Sequence, residues 1–156
     1  MYKVLLVDDE ALIREAISEN TRWKELGYEL MGTCKNGREA IERLDQEEAD
    51  LVLTDICMPY VDGMELTRYL YEKHKEVKVI IISGYDDFEY AKTAVKYQVM
   101  DYILKPITAK ELAQTLTRVK EKLDEERFQR SDMKRIRGAY MSNLPILRGR
   151  FLNSLL

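Results

Sequence analysis

Apolar residues fall along the chain in two alternating rhythms. Short, nearly unbroken apolar runs occur at Lys3–Val7 (KVLLV), Tyr28–Cys34 (YELMGTC), Leu51–Thr54, Val77–Ile82 (VKVIII) and Tyr102–Leu104. Between them, apolar positions recur at spacings of three and four. These are Leu12, Ile13, Ala16 and Ile17, running to Asn20; Ala40, Ile41 and Leu44; Leu66, Tyr69 and Leu70 within Met64–His74; and Ala91, Ala94 and Val95 within Phe88–Tyr97. The first rhythm predicts buried strands and the second amphipathic helices with those residues inward. Gly27 breaks the first helical stretch, and Lys35-Asn36-Gly37 reads as a turn. Thr108, with Glu111 three residues on, predicts a capping box. It opens a last helix with Leu112, Leu116, Val119 and Leu123 on its inner face.

Strand and helix alternate five times, which predicts an α/β fold with a five-stranded parallel sheet and helices on both faces. Right-handed crossovers then bring every strand's carboxyl end to one edge, where ligands of such sheets bind. Asp8 and Asp9, Asp55, Ser83 and Lys105 stand at that edge. Three carboxylates in one crevice repel each other, and a divalent cation relieves this; hard oxygen donors favour Mg2+ over zinc. Lys105 adds positive charge and Ser83 a hydroxyl. The set suits phosphoryl transfer, with Asp55 as the nucleophile that forms an aspartyl phosphate and Asp8 and Asp9 holding the metal. Taken singly, Asp9 reads as a turn residue, Ser83 as loop and Lys105 as a solvated cation; their convergence on one edge argues for a site. His74, among Lys73, Lys75 and Glu76, reads as a solvated surface residue, and Trp23, Tyr69 and Tyr71 as packing.

A hydrophobic content of 46% with 34% charged residues is a globular balance, and the net charge of −3 points to neither nucleic acid nor membrane. The charge is uneven. Residues 127–156 carry seven basic residues against one acid, +6, which leaves −9 for residues 1–126. This shift suggests a boundary. Cys34 and Cys57 lack metal-ligand spacing. With no signal peptide or membrane-length apolar run, the expectation is a cytoplasmic protein with reduced thiols.

The stretches VLLVDDE, DLVLTDICMPYVDGMEL, VIIISGYDDFEYAKTA and DYILKP resemble the receiver domain of two-component response regulators over residues 1–122. SGYDDFEYAKTAV is similar to receivers that precede an AraC-type DNA-binding domain. The resemblance, not the spacing, implies a flavodoxin-like sheet of strand order 2-1-3-4-5. It implies Asp55 as phosphoacceptor from a sensor histidine kinase, Asp9 as direct Mg2+ ligand, Asp8 acting mainly through water, and Cys57 offering its backbone carbonyl to the metal. Ser83 matches the switch hydroxyl, Tyr102 the aromatic whose rotamer follows it, and Lys105 the phosphate-binding lysine. A cis Lys105–Pro106 bond is implied too, whereas X-Pro bonds in general favour trans. Cys57 and Tyr85 would flank the route of a hydrolytic water, with Tyr85 shielding the acyl phosphate. Phosphorylation would alter the face made by the fourth predicted helix, the fifth strand and the last helix.

Residues 123–156 read as a helical linker, its helix ending near Gly138, followed by an apolar cluster of Leu144, Ile146, Leu147, Phe151, Leu152 and Leu155. The register along it is too polar for a strong coiled coil. The resemblance implies homodimerisation on activation and DNA binding only through a C-terminal domain absent from this sequence. Three other readings are a Mg2+-dependent aspartyl-phosphate phosphatase, an FMN module and a non-phosphorylated assembly module. The phosphatase would want an acid where Cys57 stands, and the FMN module would want a Ser/Thr/Gly-rich first loop instead of Asp8-Asp9-Glu10.

Overall fold

The structure, a computed structural model, describes the backbone of residues 1–84 and 88–142 and the side chains of residues 1–84 and 89–129. Its elements in order are β1 (Tyr2–Val7), α1 (Ala11–Asn20), α2 (Trp23–Leu26), β2 (Tyr28–Cys34), α3 (Gly37–Gln46), β3 (Leu51–Thr54), α4 (Gly63–Lys73), β4 (Lys78–Ser83), α5 (Phe88–Lys96), β5 (Asp101–Leu104) and α6 (Ala109–Ser142). The strands form one all-parallel sheet in the order β2-β1-β3-β4-β5. The predicted fold class and strand order therefore hold. Two compact units divide the chain, residues 1–117 and 118–156; the sheet and helices α1 to α5 lie in the first.

Strand side chains alternate between the two faces. Leu5, Val7, Val52, Val79 and Ile81 point to one face and pack with Ala40 and Leu44 of α3 and Leu66 and Leu70 of α4. Val4, Leu6, Leu53, Ile80 and Ile82 point to the other and are equally buried. There the Tyr28 hydroxyl donates to the Leu116 carbonyl oxygen at 2.6 Å, tying β2 to the start of α6. Each fully buried leucine or isoleucine contributes about 1.5–3 kcal/mol, so these near-continuous apolar strands fix which elements are central.

The edge strand β2 carries an irregularity. Its register against β1 skips Met31, and Arg43 of α3 donates to the Met31 carbonyl oxygen at 2.8 Å. The bulge and the guanidinium over it close an edge that would otherwise offer free pairing groups. Three helix starts are capped as the residue types suggest: Asn36 accepts from the Glu39 amide, Asp62 from that of Glu65, and Thr108 from that of Glu111.

Several expectations need correction. Trp23 nucleates a short helix, α2, that periodicity did not predict; its indole donates to the Ser18 carbonyl oxygen and its side chain is buried. Leu12 and Ala16 of α1 are exposed, and the buried stripe runs through Ile17 with Ile13 and Arg14 half-buried. In α5, Ala91 and Val95 face outward and Ala94 alone of the predicted three is buried. His74 is not a free surface residue. It is half-buried, with Nε2 3.0 Å from Asp45 Oδ1, the same oxygen that accepts from the Tyr69 hydroxyl at 2.8 Å. The paired hydrogen bonds from His74 and Tyr69 hold the Asp45 carboxyl below its ordinary range. Finally, α6 continues past Gly138 to Ser142, without the predicted stop. The apolar cluster from Leu144 onward and Tyr85 lie outside the described residues.

Candidate functional site

Three parallel strands deliver the acids and the lysine to one edge. Asp8 is the first residue past β1, Asp55 the first past β3 and Lys105 the first past β5, while Ser83 ends β4. The ladder extends just far enough to hold them: the Asp8 amide donates to the Cys34 carbonyl, that of Asp55 to Val7, and that of Lys105 to Ser83 at 2.7 Å. Asp8 and Asp55 are buried, and Asp9 and Glu10 exposed. One carboxylate oxygen from each of these four lies within 4.8 Å of the others.

Lys105 bridges the two buried acids. Its Nζ is 3.2 Å from Asp8 Oδ2 and 3.3 Å from Asp55 Oδ2, with Glu10 Oε1 at 4.0 Å. The second oxygens are held by main chain: Asp8 Oδ1 accepts from the Glu10 amide at 2.9 Å and Asp55 Oδ1 from that of Ile56 at 2.8 Å. Burial pushes the Asp55 carboxyl up, and the Asp8 charge adds to this; Lys105 and the Ile56 N–H oppose it without cancelling it. Burial works against the Lys105 ammonium, but Asp55 and Asp8 outweigh it and raise its pKa. One lysine thus leaves the acids under-compensated. A set of oxygen donors only, with that residual repulsion, fits a hard divalent cation such as Mg2+.

The loop after β3 is shaped by close approach. Gly63 opens α4 with its Cα against the Asp55 carbonyl oxygen, where a Cβ would collide, and its amide donates to the Ile56 carbonyl at 2.8 Å. Gly37 at the start of α3 sits as tightly on Val61 and donates to its carbonyl at 3.0 Å. The loop that follows Asp55 is therefore clamped from both ends.

Of the residues singled out in the sequence, Asp8, Asp9, Asp55 and Lys105 come together directly. Ser83 is fully buried on the neighbouring strand. Tyr102 lies on β5 opposite Ile81, half-buried against the α3–α4 side of the core. Cys57 is an exposed free thiol two residues past Asp55, and Cys34 is a buried one whose pKa burial pushes up to about 11. The Lys105–Pro106 bond is cis. Sequence reading passed over Glu10, although it follows the acid pair directly, and over Arg14, whose contact is with main chain.

A family model described as the response regulator receiver domain matches residues 4–117. The chain belongs to this family. Among solved receivers it is similar to the REC domain of AraT, a response regulator from Geobacillus stearothermophilus. That match has 41% identity and a TM-score of 0.76, and covers 81% of this chain and 98% of that one. A two-component transcriptional regulator AraC from Clostridium phytofermentans is 31% identical, with a TM-score of 0.74 and the same coverage. Among curated relatives, the transcriptional regulatory protein HptR of Staphylococcus aureus is 38% identical over 129 residues. The uncharacterized transcriptional regulatory protein YesN of Bacillus subtilis is 39% identical over 119. The chain spans 50% and 32% of the lengths of these two regulators. Receiver domains are signalling modules that typically use Mg2+ at an acidic pocket, and the four-carboxylate cluster is the acidic group here. No helix among the described residues is long and apolar enough to cross a membrane.

Proposed function

We propose that this receiver accepts a phosphoryl group on Asp55 from the phosphohistidine of a sensor kinase and so controls transcription. The observation that carries the reading is the bridge of Lys105 between Asp8 and Asp55 inside the carboxylate cluster. In the transfer, the phosphorus–nitrogen bond of the donor breaks as a bond from an Asp55 carboxylate oxygen to phosphorus forms. Asp9, Asp55 and the Cys57 carbonyl would hold Mg2+, with Asp8 acting mainly through water. When bound, the ion supplies charge neutralisation on the phosphoryl oxygens. Lys105 then exchanges its carboxylate partners for a phosphoryl oxygen, Ser83 donates its hydroxyl to another, and Tyr102 follows Ser83 inward.

The new charge of about −2 and its acceptor oxygens would alter the surface of α5, β5 and the start of α6, favouring a homodimer. We assign residues 1–122 to the receiver and 123–156 to a helical linker. The transcriptional output would belong to an AraC-type DNA-binding domain beyond this sequence, in the cytoplasm. The test is incubation with Mg2+ and acetyl phosphate, followed by intact-mass measurement. One phosphoryl adduct is expected, absent in Asp55→Asn and absent with EDTA; an unmodified wild type, or equal modification of Asp55→Asn, overturns the reading.

A further inference from the structure

Arg14 stands on the half-buried side of α1, and its Nη1 donates to the main-chain carbonyl oxygen of Asp8 at 2.6 Å. That carbonyl belongs to the peptide joining Asp8 to Asp9. It lies one residue beyond the last rung of the β1–β3 ladder, the Val7–Thr54 pair, so the sheet does not orient it. The Asp8 side chain takes the Glu10 amide on one oxygen, closing a turn over the same peptide, and Lys105 on the other. The Asp9 carboxylate, in contrast, is exposed. Because the peptide unit is planar, fixing the Asp8 carbonyl fixes the direction in which the chain enters Asp9.

We propose that Arg14 is a positioning residue of the cation site: it holds the Asp8–Asp9 peptide so that the Asp9 carboxylate meets those of Asp55 and Glu10. The proposal rests on the cation reading given above. Two effects of this guanidinium oppose each other. As a nearby positive charge it repels a cation; as a tether on the acid loop it pre-organises a ligand. Partners that orient metal ligands are worth roughly 10–100-fold in affinity.

The sign of the effect makes a clean test. Mg2+ affinity is measured by calorimetry on the full chain for wild type, Arg14→Met, Arg14→Lys and Asp9→Asn, alongside thermal melts without metal. Arg14→Met is expected to bind Mg2+ about tenfold more weakly although it has lost a repelling charge, and Arg14→Lys to recover part of the loss. Arg14→Gln, which keeps a donor without the charge, replaces Arg14→Met if that variant does not fold, and is expected between it and wild type. Tighter binding by the uncharged variants would reduce Arg14 to a field effect. A lower melting temperature with unchanged affinity would make it a fold anchor only. Either result overturns the proposal while Asp9→Asn, losing Mg2+, upholds the cation site. A wild type that binds no Mg2+ overturns the cation reading and this one with it.

Discussion

Tyr60, next to Pro59 in the loop after Asp55, adopts φ 68° with its side chain 77% exposed. A left-handed backbone costs a residue with a Cβ about 1–2 kcal/mol, and asparagine least. Tyr60→Asn should therefore raise the unfolding free energy by about 1 kcal/mol in urea titrations. Asp55 offers a second residue-scale expectation. Its pKa is raised in the folded protein from an ordinary 3.8, so its ionised form costs stability above the folded pKa, and the cost is relieved as pH falls through that pKa. Without divalent ions, Asp55→Asn should be more stable than wild type at pH 7, and its advantage should shrink as the solution is acidified toward pH 4. Lys105 does not confuse this window, because its pKa is raised from an ordinary 10.5 and its charge persists throughout. A melting series across pH checks both signs. The acids and Lys105 are legible in the sequence because each interrupts an apolar run at a strand end. Arg14 is not, because one charged residue in a helix gives no sign that its partner is a carbonyl.

Apart from α2, element type and order were legible, whereas the buried face of two helices was not. In α5 the inward-facing residues are Tyr90, Thr93 and Ala94, roughly a third of a turn from the more apolar Ala91 and Val95. Tyr90 reaches the core that Val95 was expected to fill. In α1, Arg14 is half-buried with its guanidinium bonded to the Asp8 carbonyl oxygen, whereas only the main-chain carbonyl of Ser18 is engaged, by the Trp23 indole, and its buried hydroxyl has no partner among the described residues. Hydropathy undervalues polar residues whose groups are satisfied inside. Val95→Lys should accordingly change stability by less than about 0.5 kcal/mol in chemical denaturation, where a core valine would cost several times more.

At the scale of the whole molecule, the helix that leaves the sheet domain is the least predictable part. Gly138 reads as a stop, yet one glycine costs a helix only about 1 kcal/mol, and α6 passes it to Ser142. Charged residues recur along its whole length, with basic ones in excess from Arg127 on, which suits a solvated linker. Residues 1–125 and 1–156 should therefore have the same subunit number in light-scattering measurements without phosphoryl donor. A dimer confined to the longer chain would assign 126–156 to association instead. The strand order has a consequence in time as well as space. Lys105 meets Asp8 across 97 residues and Asp55 across 50. Such distant closures come late in folding. A chain still emerging from the ribosome holds its acids long before it holds their lysine. On the role proposed for Lys105, competence to take up a signal would be acquired only when β5 docks, and an unfinished chain would stay silent.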